Sequence, residues 1–128
     1  MNKQISQLIN TASELVSKLA DGNKHTVAAA VLTESGRTIC SMNLSHFTGG
    51  PCAEIAALAR VVSEDEIPTL IVAVGDNERG VLSPCGKCRQ IIFDYYPAMQ
   101  VIMPDEKSVK SISKLLPDTY RWNNHQIT

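Results

Sequence analysis

The sequence predicts a single α/β domain over residues 1–128, with about five strands in a central sheet. Three observations carry that prediction. Residues 5–19 place apolar side chains at three- and four-residue spacing, the period of an amphipathic helix. Residues 27–32 and 69–74 are short, unbroken apolar runs, as expected of strands covered on both faces. Two segments, Pro51-Cys52-Ala53-Glu54 and Pro84-Cys85-Gly86-Lys87-Cys88, each open a helix-forming run that follows a strand. A chain of 128 residues is long enough to bury one core of its own.

In chain order, Ile5, Leu8, Ile9, Ala12, Leu15, Val16 and Leu19 form the apolar stripe of the first helix, and Asp21-Gly22-Asn23 ends it. The alanines of residues 27–32 allow helices to pack closely over that strand. Glu34-Ser35-Gly36-Arg37 turns the chain into a second strand, residues 38–42, making a hairpin. A polar stretch, residues 43–50, leads into a helix over residues 52–62, and Ser63-Glu64-Asp65-Glu66 reads as a solvated acidic turn. Residues 69–74 are the most apolar strand and are expected to be central. Residues 75–80 form a polar loop without the lysine and spacing of a phosphate cradle. Val81-Leu82 then lead to a second cysteine-bearing helix, with Ser83 as its N-cap and Pro97 as its stop. Residues 100–103 make a fourth strand, residues 107–109 an edge strand, and residues 111–116 a closing helix. No repeat, linker or low-complexity segment interrupts this order.

Bulk properties narrow the function classes. Hydrophobic residues make up 44% and charged residues 20%, values of a globular protein, and no apolar run is long enough for a membrane span. Residues 1–20 mix apolar with charged side chains, unlike a secretory signal. Four cysteines without such a signal point to reduced thiols and a cytoplasmic location. A net charge of −1 with scattered lysines speaks against a polynucleotide and for a small-molecule substrate.

The cysteines carry the chemistry. Cys85 and Cys88 form a Cys-x-x-Cys pair, and Cys52 adds a third soft ligand. A proline suits the first position of a helix. Both Cys52 and Cys85 are therefore expected in first turns, where the helix dipole favours the thiolate that binds metal. Three thiolates leave a tetrahedral zinc one open position for water, the pattern of a catalytic site. A structural zinc knot or a redox cysteine set remains the alternative. Cys40 lies in an apolar strand and reads as packing, and His25, His46 and His125 lack ligand spacing to the cysteines. Glu54, two residues beyond Cys52, is the carboxylate placed to handle that water's proton.

Cys52-Ala53-Glu54 followed by Pro84-Cys85-Gly86-Lys87-Cys88 resembles the signature of zinc deaminases: ligand, one residue, glutamate, then Pro-Cys-x-x-Cys. The chain is similar to the cytidine deaminase-like zinc hydrolases over most of its length. Residues 46–54 and 83–90 look closest to their blasticidin S deaminase branch, which acts on a nucleoside antibiotic. The resemblance implies a three-layer α/β/α sandwich with a central mixed sheet of about five strands. It also implies a cytosine nucleoside as partner, with no nucleic acid and no membrane, and a homotetramer. The implied reaction is hydrolytic loss of the 4-amino group, with Zn²⁺ as cofactor and Glu54 as proton carrier. Cytidine or deoxycytidine salvage is the alternative activity, and a non-catalytic zinc-binding module is the alternative of another class.

Further residues follow from the same resemblance. Many cytidine deaminases carry an arginine after the glutamate to offset the thiolates; here Ile55 stands there, and Lys87 or Arg89 is the implied substitute. Surface solubility would explain those two residues equally well. Asn43, Phe47, Thr26, Ala53, Ser83, Tyr120 and Trp122 are the implied substrate contacts. Phe47 could instead be plain core, and the aromatics of the tail could serve a subunit interface. Where the family usually has Asn-x-Glu for the ribose 3′-hydroxyl, this chain keeps Asn43 but has Ser45. That loss argues against unmodified cytidine and suits a sugar bearing its own carboxylate, which a glutamate would repel.

Overall fold

The computed structural model describes residues 2–122, so His125 lies outside the described residues. The predicted first helix is α1 (Asn2–Leu19). It is stopped by Asp21, whose Oδ1 accepts the backbone N–H groups of Asn23, Lys24 and His25 at 2.8–2.9 Å. The hairpin follows as β1 (Val27–Thr33) and β2 (Thr38–Met42), antiparallel with Ala30 opposite Cys40. Then come α2 (Ala53–Ser63), β3 (Pro68–Gly75), β4 (Gly80–Leu82), α3 (Gly86–Tyr95), β5 (Gln100–Ile102) and β6 (Val109–Ser111). One 3-10 turn, Ile112–Leu115, closes the domain.

These strands form one mixed sheet in the order β2-β1-β3-β5-β6, with β4 also paired to β3. As expected, β3 is central. It runs antiparallel to β1, with Ala29 opposite Ala73, and parallel to β5, with Ile71 opposite Val101. The two-residue period of a strand sends successive side chains to opposite faces. Leu70, Val72 and Val74 face α1 with Ala28 and Ala30, against Ile5, Leu8, Ala12 and Val16. Ile71 faces the other way with Ala29, Val31 and Val101, against Ala57, Leu58 and Val61 of α2 and Ile92 of α3. The result is the three-layer α/β/α sandwich that the resemblance implied.

Three details differ from expectation. Val81 and Leu82, read as a lead-in to a helix, pair with Val74 and Ala73 and make a sixth strand. The edge strand begins at Val109 rather than at 107, because Asp105 holds the preceding segment as a turn. Its Oδ1 accepts the N–H groups of Lys107 and Ser108 at 3.0 and 2.8 Å, which a ladder would otherwise claim. The acidic turn is paired rather than merely solvated. Glu64 meets both Arg37 and Arg60, and Glu66 lies 3.5 Å from Arg37. Such exposed pairs are worth about 0–1 kcal/mol each, so the two apolar layers rather than these ions hold the fold. No helix among the described residues is long and apolar enough to cross a membrane.

Candidate active site

Both cysteine helices begin on the same face of the sheet. Cys52 is the N-cap of α2 and Cys85 the N-cap of α3, each with extended backbone (φ −63°, ψ 158° and φ −71°, ψ 169°). This corrects two expectations. The cysteines precede the first turn instead of lying in it, and Ser83 is not the cap of the second helix. A residue inside a turn points its side chain away from the helix axis, whereas an extended cap residue swings its side chain across the open N-terminus. The extended cap geometry lets the Cys52 and Cys85 sulfurs approach each other across the two helix starts, while Cys88 joins them from within the first turn of α3. The first helical bonds confirm it: Ala56 N–H donates to the Cys52 carbonyl at 3.0 Å and Arg89 N–H to that of Cys85 at 2.9 Å.

The Sγ atoms of Cys52, Cys85 and Cys88 all lie within 4.8 Å of one another, and Cys52 and Cys85 are 4.0 Å apart. A tetrahedral zinc with sulfurs at about 2.3 Å needs edges of roughly 3.8 Å, so the triangle fits that metal with little movement. Among the described residues no other histidine, cysteine or carboxylate joins the cluster. Cys40 sits on β2 against the α1 layer, and the sheet separates it from the three other thiols.

Glu54 lies in the first turn of α2, only 7% exposed, and lines with the three cysteines a cavity of about 170 Å³. Burial pushes its carboxyl above the ordinary glutamate range. Burial likewise raises the thiols of Cys52 and Cys88. Cys85 alone is lowered: burial opposes this, but the Cys88 N–H, the Cys88 and Cys52 thiols and the Lys87 N–H outweigh it. The expectation of lowered thiols at both helix starts is thus met at Cys85 and overturned at Cys52, where desolvation dominates.

The other predicted site residues divide into two groups. Asn43, Ala53 and Ser83 line the cavity. Asn43 Oδ1 accepts the backbone N–H groups of Thr26 and Val27 at 2.7 and 3.0 Å, and its Nδ2 donates to Thr26 Oγ1 and Ser45 Oγ, each at 3.3 Å. Thr26 and Ser45 thus stand behind Asn43 rather than on the cavity wall. Phe47 is neither core nor cavity wall; it is 95% exposed, with its ring 4.6 Å from that of His46. Tyr120 and Trp122 lie against α3 instead of the cavity. The Tyr120 carbonyl accepts from Gln90 Nε2 at 2.9 Å, and the Trp122 ring lies 5.5 Å from that of Tyr95. Lys87 is exposed. Arg89 spends its guanidinium on two carbonyls, those of Pro84 and Leu115.

Sequence reasoning missed Val27, Ala73 and Leu82, which form the apolar part of the cavity wall. They carry no motif. Their only signal is that β1, β3 and β4 reach the cysteine helices, which requires the sheet order. It also missed why Gly50 is a glycine: a Cβ there would fall 1.8 Å from the Leu44 carbonyl oxygen.

Three sulfurs within reach of one metal ion and a buried carboxyl beside them define a metal-dependent hydrolase type of site. Residues 2–103 match the family described as cytidine and deoxycytidylate deaminase zinc-binding region. The chain is 34% identical to the blasticidin-S deaminase of Bacillus cereus, with 96% of each chain covered. Among solved structures it is similar to the cytidine deaminase of Burkholderia pseudomallei, with a TM-score of 0.75 and 27% identity over 90% of this chain and 98% of that one. The cytidine deaminase of Mycobacterium tuberculosis shares the fold, with a TM-score of 0.76 at 23% identity, covering 90% and 95%. The chain belongs to the cytidine and deoxycytidylate deaminase zinc-binding family, and its cofactor is zinc.

Burial of Glu54 has a measurable consequence in the metal-free protein. A carboxyl with a raised folded pKa keeps its proton when the unfolded chain has lost it, so native stability falls as pH rises from about 4 through the raised value. Glu54→Gln removes that loss. Urea unfolding of metal-free wild type and variant between about pH 4 and pH 7 should show the variant gaining relative stability with pH. A constant difference would mean that Glu54 is solvated.

Proposed function

We propose that the chain catalyses zinc-dependent hydrolytic deamination of a cytosine nucleoside, with blasticidin S or a related cytosine nucleoside antibiotic as substrate. The observation that carries the reaction is the buried Glu54 carboxyl sharing one small cavity with the three thiols. In this reading Cys52, Cys85 and Cys88 are the zinc ligands. Zinc bound there makes water nucleophilic near neutral pH. Glu54 takes a proton from the attacking water and delivers it to ring N3, then takes the second proton from the C4 hydroxyl and delivers it to the departing amine. Water adds its oxygen to C4, the C4–N bond breaks, ammonia leaves, and the uracil derivative remains.

The choice of substrate rests on residues 43–50, which bring Asn43 to the cavity and hold Ser45 behind it. Residues 43–50 contain no carboxylate, and Ser45 offers Asn43 only a hydroxyl. A sugar with its own carboxylate meets no repulsion there, and a ribose 3′-hydroxyl finds no charged acceptor. The extent and identity of the match to the Bacillus cereus enzyme support the same choice. Cytidine and deoxycytidine form the second reading, favoured by the cytidine deaminases of similar fold. Free cysteines at all four positions suit a cytoplasmic enzyme.

The expected partner is a second copy of the chain, in a homotetramer. Ile55, Leu58, Val62, Ile91 and Tyr95 line an open, mainly apolar groove between α2 and α3, and Trp122 lies at its edge against Tyr95. Light scattering at micromolar concentration should give the mass of four chains; a monomer at all concentrations would refute it.

Substrate and mechanism share one assay. Zinc-loaded protein is mixed in parallel with blasticidin S, cytidine and deoxycytidine, and loss of the cytosine absorbance band is followed. The fastest loss is expected with blasticidin S. A preference for cytidine would sink the antibiotic reading, and silence with all three substrates despite bound zinc would sink the deaminase reading. Glu54→Gln should retain zinc and lose about 10²–10⁴-fold in turnover; near-normal turnover would remove Glu54 from the chemistry.

A further inference from the structure

Arg89 follows directly after Cys88 in the first half of α3, half-buried. Its Nε donates to the Pro84 carbonyl at 2.8 Å and its Nη1 to the Leu115 carbonyl at 3.0 Å. Among the described residues it forms no ion pair. The Pro84 carbonyl belongs to the peptide group that carries the Cys85 nitrogen, so anchoring it sets the direction in which Cys85 leaves the chain. Leu115 ends the 3-10 turn that packs into the core beside α3.

Cys85 needs such an anchor. Cys88 is fully buried and held by its neighbours, whereas Cys85 is exposed, and Gly86 after it would meet nothing within 4 Å even with a Cβ. The Lys87 and Cys88 N–H groups hold the Cys85 sulfur to the start of α3, and what remains to be fixed is the direction of the Pro84–Cys85 peptide that feeds it. We infer that Arg89 is a positioning residue for the metal centre, bracing the Pro84–Cys85 peptide against the 3-10 turn so that Cys85 Sγ stays in register with Cys52 and Cys88. This inference rests on the zinc-ligand assignment made above. It assigns Arg89 a geometric task rather than a counter-charge for the thiolates. The planar guanidinium fork reaches two acceptors from separate segments at fixed angles, and a single lysine ammonium cannot reproduce that span. Outer partners of metal ligands act in this way, and their loss typically costs ten- to a hundred-fold in metal affinity.

Charge and geometry separate cleanly by substitution. Arg89→Lys and Arg89→Gln are made in the full chain, with Gln90→Ala as control, because Gln90 holds the Thr119–Tyr120 segment but does not touch Pro84. Zinc affinity is measured by competition with a chromogenic chelator, and cobalt-substituted protein is read through its thiolate charge-transfer absorption. Circular dichroism of the metal-free proteins reports folding. Both Arg89 variants are expected to bind zinc about ten-fold or more weakly, with a weakened or shifted charge-transfer band, and Gln90→Ala to match the wild type. Wild-type affinity and spectrum in Arg89→Lys with loss only in Arg89→Gln would overturn the inference in favour of charge. Unchanged affinity in both, or an equal loss in Gln90→Ala, would also overturn it. A wild type that binds no zinc would instead refute the ligand assignment itself, and this inference with it.

Discussion

Three sulfurs from two helix starts must meet within 4.8 Å, and most of the architecture serves that requirement. The two helices can present their N-termini side by side only if both lie on one face of the sheet. That face is built for close approach, with Ala29 on β1 opposite Ala73 on β3, and Ala53 and Ala57 on the inner side of α2. Larger side chains at these positions would lift α2 away from the sheet and carry Cys52 out of reach of Cys85. On the opposite face α1 covers Leu70, Val72 and Val74, so that β3 is buried on both sides and cannot shift register.

This preorganisation has a cost that the metal can offset. Two of the thiols and the Glu54 carboxyl are pushed towards their neutral forms by burial. A metal requires thiolates, so binding must release protons and will depend on pH. Burial that disfavours charge in the metal-free chain becomes an advantage once a divalent cation is present, because the same dry surroundings strengthen its attraction for the sulfurs.

Outside this centre lie residues 43–50 and the aromatic tail. Asn43 fastens residues 43–50 to the start of β1, and the close approach of Gly50 to Leu44 ties off the base of the segment. Its tip projects Phe47 almost fully into solvent. At the other end of the chain, Gln90 and Tyr95 dock the aromatic tail on α3 rather than over the cavity. Phe47, Tyr120 and Trp122 are thus exposed aromatics on two segments, and other residues line the cavity.

By itself the sequence determined the α/β class, the hairpin, the central place of residues 69–74 and the set of groups able to bind zinc. Those features depend on the period of side chains along the backbone and on ligand chemistry, both of which are local. Tertiary structure alone decided the rest. Cys52 and Cys85 are caps rather than first-turn residues, an extended geometry in which sulfurs 33 residues apart approach each other. Residues 81–82 became a strand because β3 offered them an open edge, and 107–108 did not because Asp105 captured their N–H groups. Arg89, which sequence spacing marks only as a basic residue beside a ligand, acquired one of its two partners from a carbonyl 26 residues away. Contacts between distant segments have no period for a sequence to display, and only the folded chain shows which of them form.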